Sequence, residues 1–189
     1  MSQYLLGNTD LHLLDQILKG RYEPSMRMLD AGCGEGRNLP YFIQNNFDVW
    51  GVDINPAALR LLQIRGRSWS KTFDAEKFIE ADLVSLPFPP TCFDAIINCA
   101  VLHFAHDESH FLEMMTELNR VLRPGGSLFI RMASSATVDL PLKDAPNFRL
   151  TPPLVDRLIT DYDLSWIEPM RTERVAGRTA QSTLVLRRN

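Results

Sequence analysis

The chain has 189 residues, 45% of them hydrophobic and 23% charged, the makeup of an ordinary globular protein with enough length for one sizeable core. A net charge of -3 excludes a general electrostatic grip on nucleic acid or on anionic lipid. Three cysteines (Cys33, Cys92, Cys99) cannot all pair with one another and lack metal-ligand spacing, so they are expected as reduced thiols in a cytoplasmic protein. The opening MSQYLLGNTD has neither the basic start nor the apolar core of a secretory signal, and no stretch reaches membrane-span length.

Helical spacing first occurs over residues 10–20, with Leu11, Leu13, Leu14, Ile17 and Leu18 as the apolar stripe and Gly20 as the stop. RMLDA (27–31) reads as a strand, followed by the glycines of LDAGCGEG (29–36) and a helix over 37–45 with Pro40 in its first turn. DVWGVD (48–53) is the second strand. Asn55 caps the next helix, Pro56 fills its first position and Gly66 is expected to end it. Residues 68–76 carry no clear pattern. Strands follow at 78–81 and 93–100, then a helix over 107–122 with an unbroken apolar stripe. Pro124 and Gly125-Gly126 break the chain before a strand at 127–132. After an irregular stretch (133–150), Thr151 caps a helix to about residue 162. Two runs, 164–174 and 180–187, join through Ala176-Gly177 as a hairpin.

Alternating strands and helices imply a doubly wound α/β fold with a mostly parallel sheet covered on both faces. The tail is the exception, because two strands joined by a short turn must run antiparallel. No repeat or linker divides the chain, so residues 1–189 are expected to form a single domain. Its N-terminal helix (1–20) and the loop at 133–150 are the additions on the acceptor side.

Parallel sheets of this kind bind ligands at the carboxyl ends of their strands. The glycine turn therefore belongs to the cleft. A dinucleotide fold expects G-x-G-x-x-G and a phosphate loop expects G-K-[ST]; here Gly32, Gly34 and Gly36 are spaced G-x-G-x-G, with Asp30 ahead of them. An acid beside the glycines suits a cationic ligand better than a pyrophosphate. Asp53 stands 21 residues after Gly32, where an acid can accept both hydroxyls of a ribose, and Asp82 ends the third strand on the same edge.

The order LDAGCGEG, GVD (51–53), ADL (81–83) and LRPGG (122–126) resembles the class I S-adenosylmethionine-dependent methyltransferases, over roughly residues 28–132. LPFPPTCFDAIINCAVLHF (86–104) is similar to the methyltransferases of ubiquinone and menaquinone synthesis. GCGEGRN (32–38) is similar to the glycine loop of tellurite-resistance and thiopurine methyltransferases. The resemblance implies a Rossmann-like seven-stranded sheet with an antiparallel C-terminal hairpin, and S-adenosyl-L-methionine as cofactor. Asp30 and the backbone around Gly32, Cys33 and Gly34 would hold the methionine part. Asp53 would bind the ribose hydroxyls, with Ile54 against the adenine. Asp82 would accept from the adenine amino group and the Leu83 backbone would meet the ring edge. Cys99 and Ala100 would lie beside the methionine amine and the sulfonium. Gly36 is left for close helix packing.

Methyl transfer from a sulfonium is an in-line displacement for which the protein chiefly aligns the reactants. A carbon or hydroxyl acceptor would want a base. Candidates are His103, His106, Asp107 and His110 in LHFAHDESH, of which His103 is carried forward as the catalytic residue. No metal is expected. Phe88-Pro89-Pro90-Thr91 precedes the fourth strand, so it is not the Asn/Asp-Pro-Pro-aromatic signature of nucleobase amino-methylating enzymes; NCAV (98–101) stands in that place. Arg171, Arg174, Arg178, Arg187 and Arg188 lack interleaved aromatics and are read as a solvated face. The expected partner is a small-molecule acceptor, with no nucleic acid and no membrane. Trp69, Phe73 and Phe148 either line an apolar pocket or anchor their loops. With so small a lid, either the acceptor is small or a second subunit, as in a homodimer, closes the cleft. The rival readings are a cofactor-binding regulatory module and a nicotinamide-dependent oxidoreductase.

Overall fold

Two strands alternate their side chains between two separate cores, and this alternation organises the molecule. In β1 (Arg27–Ala31), Leu29 and Ala31 face one side of the sheet and Met28 the other. In β4 (Phe93–Cys99), Ile96 joins Leu29, while Ala95 and Ile97 join Met28. Strands buried on both faces read as near-continuous apolar runs for this reason. The computed structural model describes residues 8–135, 148–175 and 179–189. The Ala176-Gly177 turn, Arg178 and most of the 133–150 loop lie outside the described residues.

The remaining strands are β2 (Asp48–Asp53), β3 (Phe78–Glu80), β5 (Leu122–Ala133), β6 (Leu164–Val175) and β7 (Thr179–Arg188). They form one seven-stranded sheet in the order β3-β2-β1-β4-β5-β7-β6. The first five strands are parallel, and β7 runs antiparallel to both β5 and β6. The expected hairpin is therefore present, but its second strand lies inside its first. Composition explains this order. Leu184, Val185 and Leu186 of β7 are buried, whereas β6 carries Glu168, Arg171, Glu173 and Arg174 along the edge. Charge on an edge strand discourages further pairing.

Helices α1 (Leu11–Leu18), α2 (Pro40–Gln44) and α3 (Pro56–Trp69) cover one face, and α4 (Glu108–Val121) and α5 (Pro152–Asp161) the other. Asp10, Asn55 and Asp107 cap their helices through side-chain oxygens. Thr151 precedes α5 but its side chain makes no cap hydrogen bond. Helix α2 is shorter than its pattern, because the turn from Gly36 runs on to Leu39 before Pro40 starts the helix.

The Pro124-Gly125-Gly126 segment does not stop the chain short of β5. It forms an irregularity within the strand, where the register with β4 steps from Phe93↔Leu122 to Ala95↔Ser127. Nor does Gly66 end α3. A Cβ there would lie 2.3 Å from the Phe73 ring, so the glycine serves packing and the helix continues to Trp69. Phe73 also stacks on Phe78, Trp69 packs against Gly36, and Phe148 stacks on Phe111. The three aromatics are loop anchors.

Gly66→Ala adds a methyl group inside the Phe73 ring, and the overlap outweighs the helix-propensity gain of about 1 kcal/mol. A loss of about 1–2 kcal/mol in stability is expected from urea unfolding. A midpoint equal to or above the parent's would show that Phe73 does not cover this position.

Candidate functional site

The carboxyl ends of β1, β2, β4 and β5, with the residues after β3, open onto a cavity of about 1070 Å³. Strand order reverses between β1 and β4, so the cavity lies at the switch point of the sheet. Gly32 turns the chain out of β1 at φ +87°, and a Cβ there would lie 2.3 Å from Val101 Cγ2. No side chain fits. The amides of Gly32 and Cys33 donate to the Val52 carbonyl at 2.8 and 2.9 Å, which ties the turn to β2. Gly34, at φ +51°, meets open space instead; the nearest atom to an added Cβ is Asp53 Oδ2 at 3.9 Å. Bare main chain is therefore presented to the cavity there.

Asp53 joins two segments of the wall. Its Oδ2 accepts from Gly34 N at 2.7 Å and its Oδ1 from Asn55 N at 2.9 Å. Beside it, Ile54 lines the cavity 67% exposed, and Phe104, which follows β4 on the same wall, is 64% exposed. Asp82 forms a turn, its Oδ1 accepting from Val84 N at 3.2 Å. Ala100 takes a left-handed backbone at φ +65° and donates its amide to the Arg131 carbonyl at 2.7 Å. A non-glycine residue held so costs about 1–2 kcal/mol, a strain typical of residues that shape a site.

A family model for a methyltransferase domain matches residues 29–130. That span runs from β1 to β5 and includes most of the cavity wall. The chain belongs to this methyltransferase family. Curated relatives include a phthiotriol/phenolphthiotriol dimycocerosates methyltransferase of Mycobacterium leprae, 34% identical over 104 residues covering 54% of this chain and 36% of that protein. A fatty-acid O-methyltransferase of Mycolicibacterium smegmatis is 31% identical over 127 residues, covering 64% of this chain and 43% of its own. The chain thus spans about two fifths or less of the length of these two relatives. Among solved structures, TehB from Haemophilus influenzae aligns with a TM-score of 0.75 at 19% identity, covering 95% of this chain and 62% of TehB. A SAM-dependent methyltransferase of Methanosarcina mazei aligns at 0.73 and 20% identity, covering 91% of this chain and 96% of its own. These likenesses show a shared fold.

Of the residues singled out in the sequence, this methyltransferase-family chain brings Gly32, Cys33, Gly34, Asp53, Ile54, Asp82, Leu83, Cys99 and Ala100 to the cavity wall. Asp30 is not among them. It is 2% exposed beneath the glycine turn, and its Oδ2 has no hydrogen-bond partner among the described residues. Burial pushes its carboxyl up to about 7, against the pull of Arg37 and with a further push from Asp53. Burial likewise raises the Cys33 thiol and pushes Cys99 up to about 12, so both stay protonated and neither is a ready nucleophile.

His103 is turned away. It lies outside the cavity wall, its Nδ1 is 3.5 Å from Ala133 N, and its carbonyl accepts from Phe148 N. Burial lowers its pKa. The imidazoles on the wall are those of His106 and His110, stacked with centroids 4.6 Å apart, and His110 Nδ1 accepts from His106 N. The short 3-10 turn at Leu102–Phe104 makes the difference, since it swings His103 toward β5 and Phe104 toward the opening. Among the described residues no group of three or more His, Cys, Asp or Glu could hold a metal ion. Nor is any described helix long and apolar enough to cross a membrane.

Sequence reasoning missed the other end of the wall. Asp10 caps α1 through Oδ1, places Oδ2 at 3.0 Å from Arg131 Nε, and donates its amide to Asn38 Oδ1. Arg131 also donates to Gln181 Oε1 and pairs with Glu173 at 2.7 Å. One signal was available: an arginine interrupting the apolar run SLFIRM.

Asp30 links stability to pH. Its folded pKa exceeds its unfolded value, so the stability it contributes is full below about pH 4 and is lost as pH rises to about 7. Asp30→Asn should remove up to about 1.4 kcal/mol of slope per pH unit in that window. Unfolding curves for the two proteins that stay parallel from pH 4 to 7 would place the titration elsewhere.

Proposed function

We propose that this chain is an S-adenosylmethionine-dependent methyltransferase acting on a small-molecule acceptor in the cytoplasm. The observation that carries the reading is the Asp53 carboxylate, which holds Gly34 and Asn55 by their amides beside uncovered glycine backbone. Family membership supports the activity, and three buried, unpaired cysteines support a reducing compartment.

The residues present fit S-adenosylmethionine. Asp53 can accept ribose hydroxyls on lone pairs not used by the two amides. Ile54 and Phe104 offer exposed apolar surface to a flat base, and Asp82 and the Leu83 backbone can meet its polar edge. Gly32 and Gly34 let the methionine part approach main chain, with Cys99 and Ala100 on the neighbouring strand end. The Asp30 carboxyl, buried and with an unpartnered oxygen, lies behind the turn as a latent negative charge for a cationic ligand. When bound, the cofactor supplies an electrophilic methyl group on a sulfonium that leaves as a neutral thioether. The protein orients that group and excludes water, contributions that can remove roughly 7–11 kcal/mol of barrier. His106 and His110 are the titratable candidates on the wall for a proton released by the acceptor.

Calorimetry with S-adenosylhomocysteine and, separately, NAD distinguishes methyl transfer from nicotinamide chemistry. Binding is expected for the first and not for the second. Asp53→Ala should weaken S-adenosylhomocysteine binding by about 1–3 kcal/mol, the cost of leaving buried hydroxyls unpaired. An affinity unchanged in that variant would remove Asp53 from the cofactor site.

A further inference from the structure

At the β5 end the cavity changes character. Its described wall there is Asn8, Asp10, Arg37, Asn38, Arg131 and Gln181, whereas the apolar lining (Ile54, Leu83, Phe104, Met114) comes from the segments after β2, β3 and β4 and from α4. Arg131 is the best defined of the polar group. Its side chain is 10% exposed, Asp10 fixes its Nε, Glu173 fixes its Nη2, and Gln181 accepts from Nε as well. Nη1 is left without a hydrogen-bond partner. A guanidinium clamped on two sides, with its third nitrogen buried and unpaired on a residue that lines the cavity, has donors left for one more oxygen.

A second guanidinium stands nearby. Arg37 Nη2 reaches Cys99 Sγ at 3.2 Å, and Cys99 is the direct register partner of Arg131 on the adjacent strand. Arg37 makes no contact ion pair among the described residues; the carboxyl it acts on electrostatically, Asp30, is buried beneath the glycine turn. Two guanidinium groups flanking one strand end suit a carboxylate, whose paired oxygens take planar N–H donors better than an amide or ester does.

Resting on the methyltransferase reading, we propose that Arg131, with Arg37, receives a carboxylate of the acceptor, and that the acceptor is a small polar carboxylic acid. A lipid chain finds no apolar surface at this end of the described wall. Arg131 is then a specificity-determining residue, and Asp10 and Glu173 position it.

The test begins with S-adenosylhomocysteine binding to the purified chain; absence of that binding fails the methyltransferase reading itself. Succinate, malate and benzoate are then titrated into the S-adenosylhomocysteine complex beside succinamide, benzamide and palmitate. Turnover of the same compounds is followed with S-adenosylmethionine. The acids are expected to bind and turn over, with the amides about tenfold weaker or worse. Arg131→Lys should raise KM for the acid about tenfold while S-adenosylhomocysteine affinity stays within about twofold. Gln181→Leu leaves the pairs to Asp10 and Glu173 in place but removes the acceptor that helps to orient Arg131 Nε, and should raise KM for the acid with S-adenosylhomocysteine affinity within about twofold of the parent's. If Arg131→Lys does not fold, the Gln181 variant and the acid-to-amide ratio decide. Equal handling of acids and amides, preference for palmitate, or no acid bound to the complex overturns the proposal. So does a parallel loss of S-adenosylhomocysteine and acid affinity in Arg131→Lys, which would make the carboxylate at this position the cofactor's own.

Discussion

The glycine turn keeps its shape because it is tied to β2 as well as closed on itself by the Gly36 amide bonding the Cys33 carbonyl. Two amides bond to the Val52 carbonyl, and a third bonds to the Asp53 carboxylate, whose other oxygen reaches the start of α3. Two consecutive residues of β2, Val52 and Asp53, thus hold three amides of a turn that belongs to β1. The left-handed angles at Gly32 and Gly34 are tolerable only without side chains, and Val101 closes the space above Gly32. Much of the cavity follows from this tether: one wall is backbone, and the acid that secures it faces the same opening.

Charge is distributed unevenly around that opening. Asp53 and Asp82 stand on the β2–β3 side, while Arg37 and Arg131, the latter paired with Asp10, stand on the β4–β5 side; Glu35 and Arg65 on the wall pair with each other. The buried Asp30 carboxyl has much of its charge suppressed by desolvation near neutrality, so a cation brought close to the turn would draw it back toward the ionised form. Ligand binding and protonation are coupled there.

The N-terminal helix is joined to this region by polar contacts as well as by its apolar face. Leu13 and Ile17 enter the core, but Asp10 and His12 reach Arg131, Asn38 and Glu173. An ion pair as buried as Asp10–Arg131 is strongly destabilised when one partner is lost, since the survivor keeps its charge out of water. Helix α1 is therefore fixed to the end of β5 and to the residues following the glycine turn, and it helps to form the cavity instead of lying loosely across it.

Local signals were enough for much of this. The bounds of β1 and β2, the Asn55 cap, the parallel sheet and its antiparallel tail all follow from period, punctuation and loop length, which act over a few residues. Nine of the residues chosen for the cleft line it because strand ends and the turns after them lie on the sheet's carboxyl edge whatever the loops do. Tertiary packing decided the rest. Gly66 is a contact for Phe73 and not a stop, β7 lies inside β6, and a single 3-10 turn exchanges His103 for Phe104 at the opening. Asp10 and Arg131 are 121 residues apart in sequence and meet only in the fold. A glycine, a histidine or an arginine has several roles open to it locally. Which one it takes depends on what a distant segment places against it, and neither spacing nor propensity contains that information.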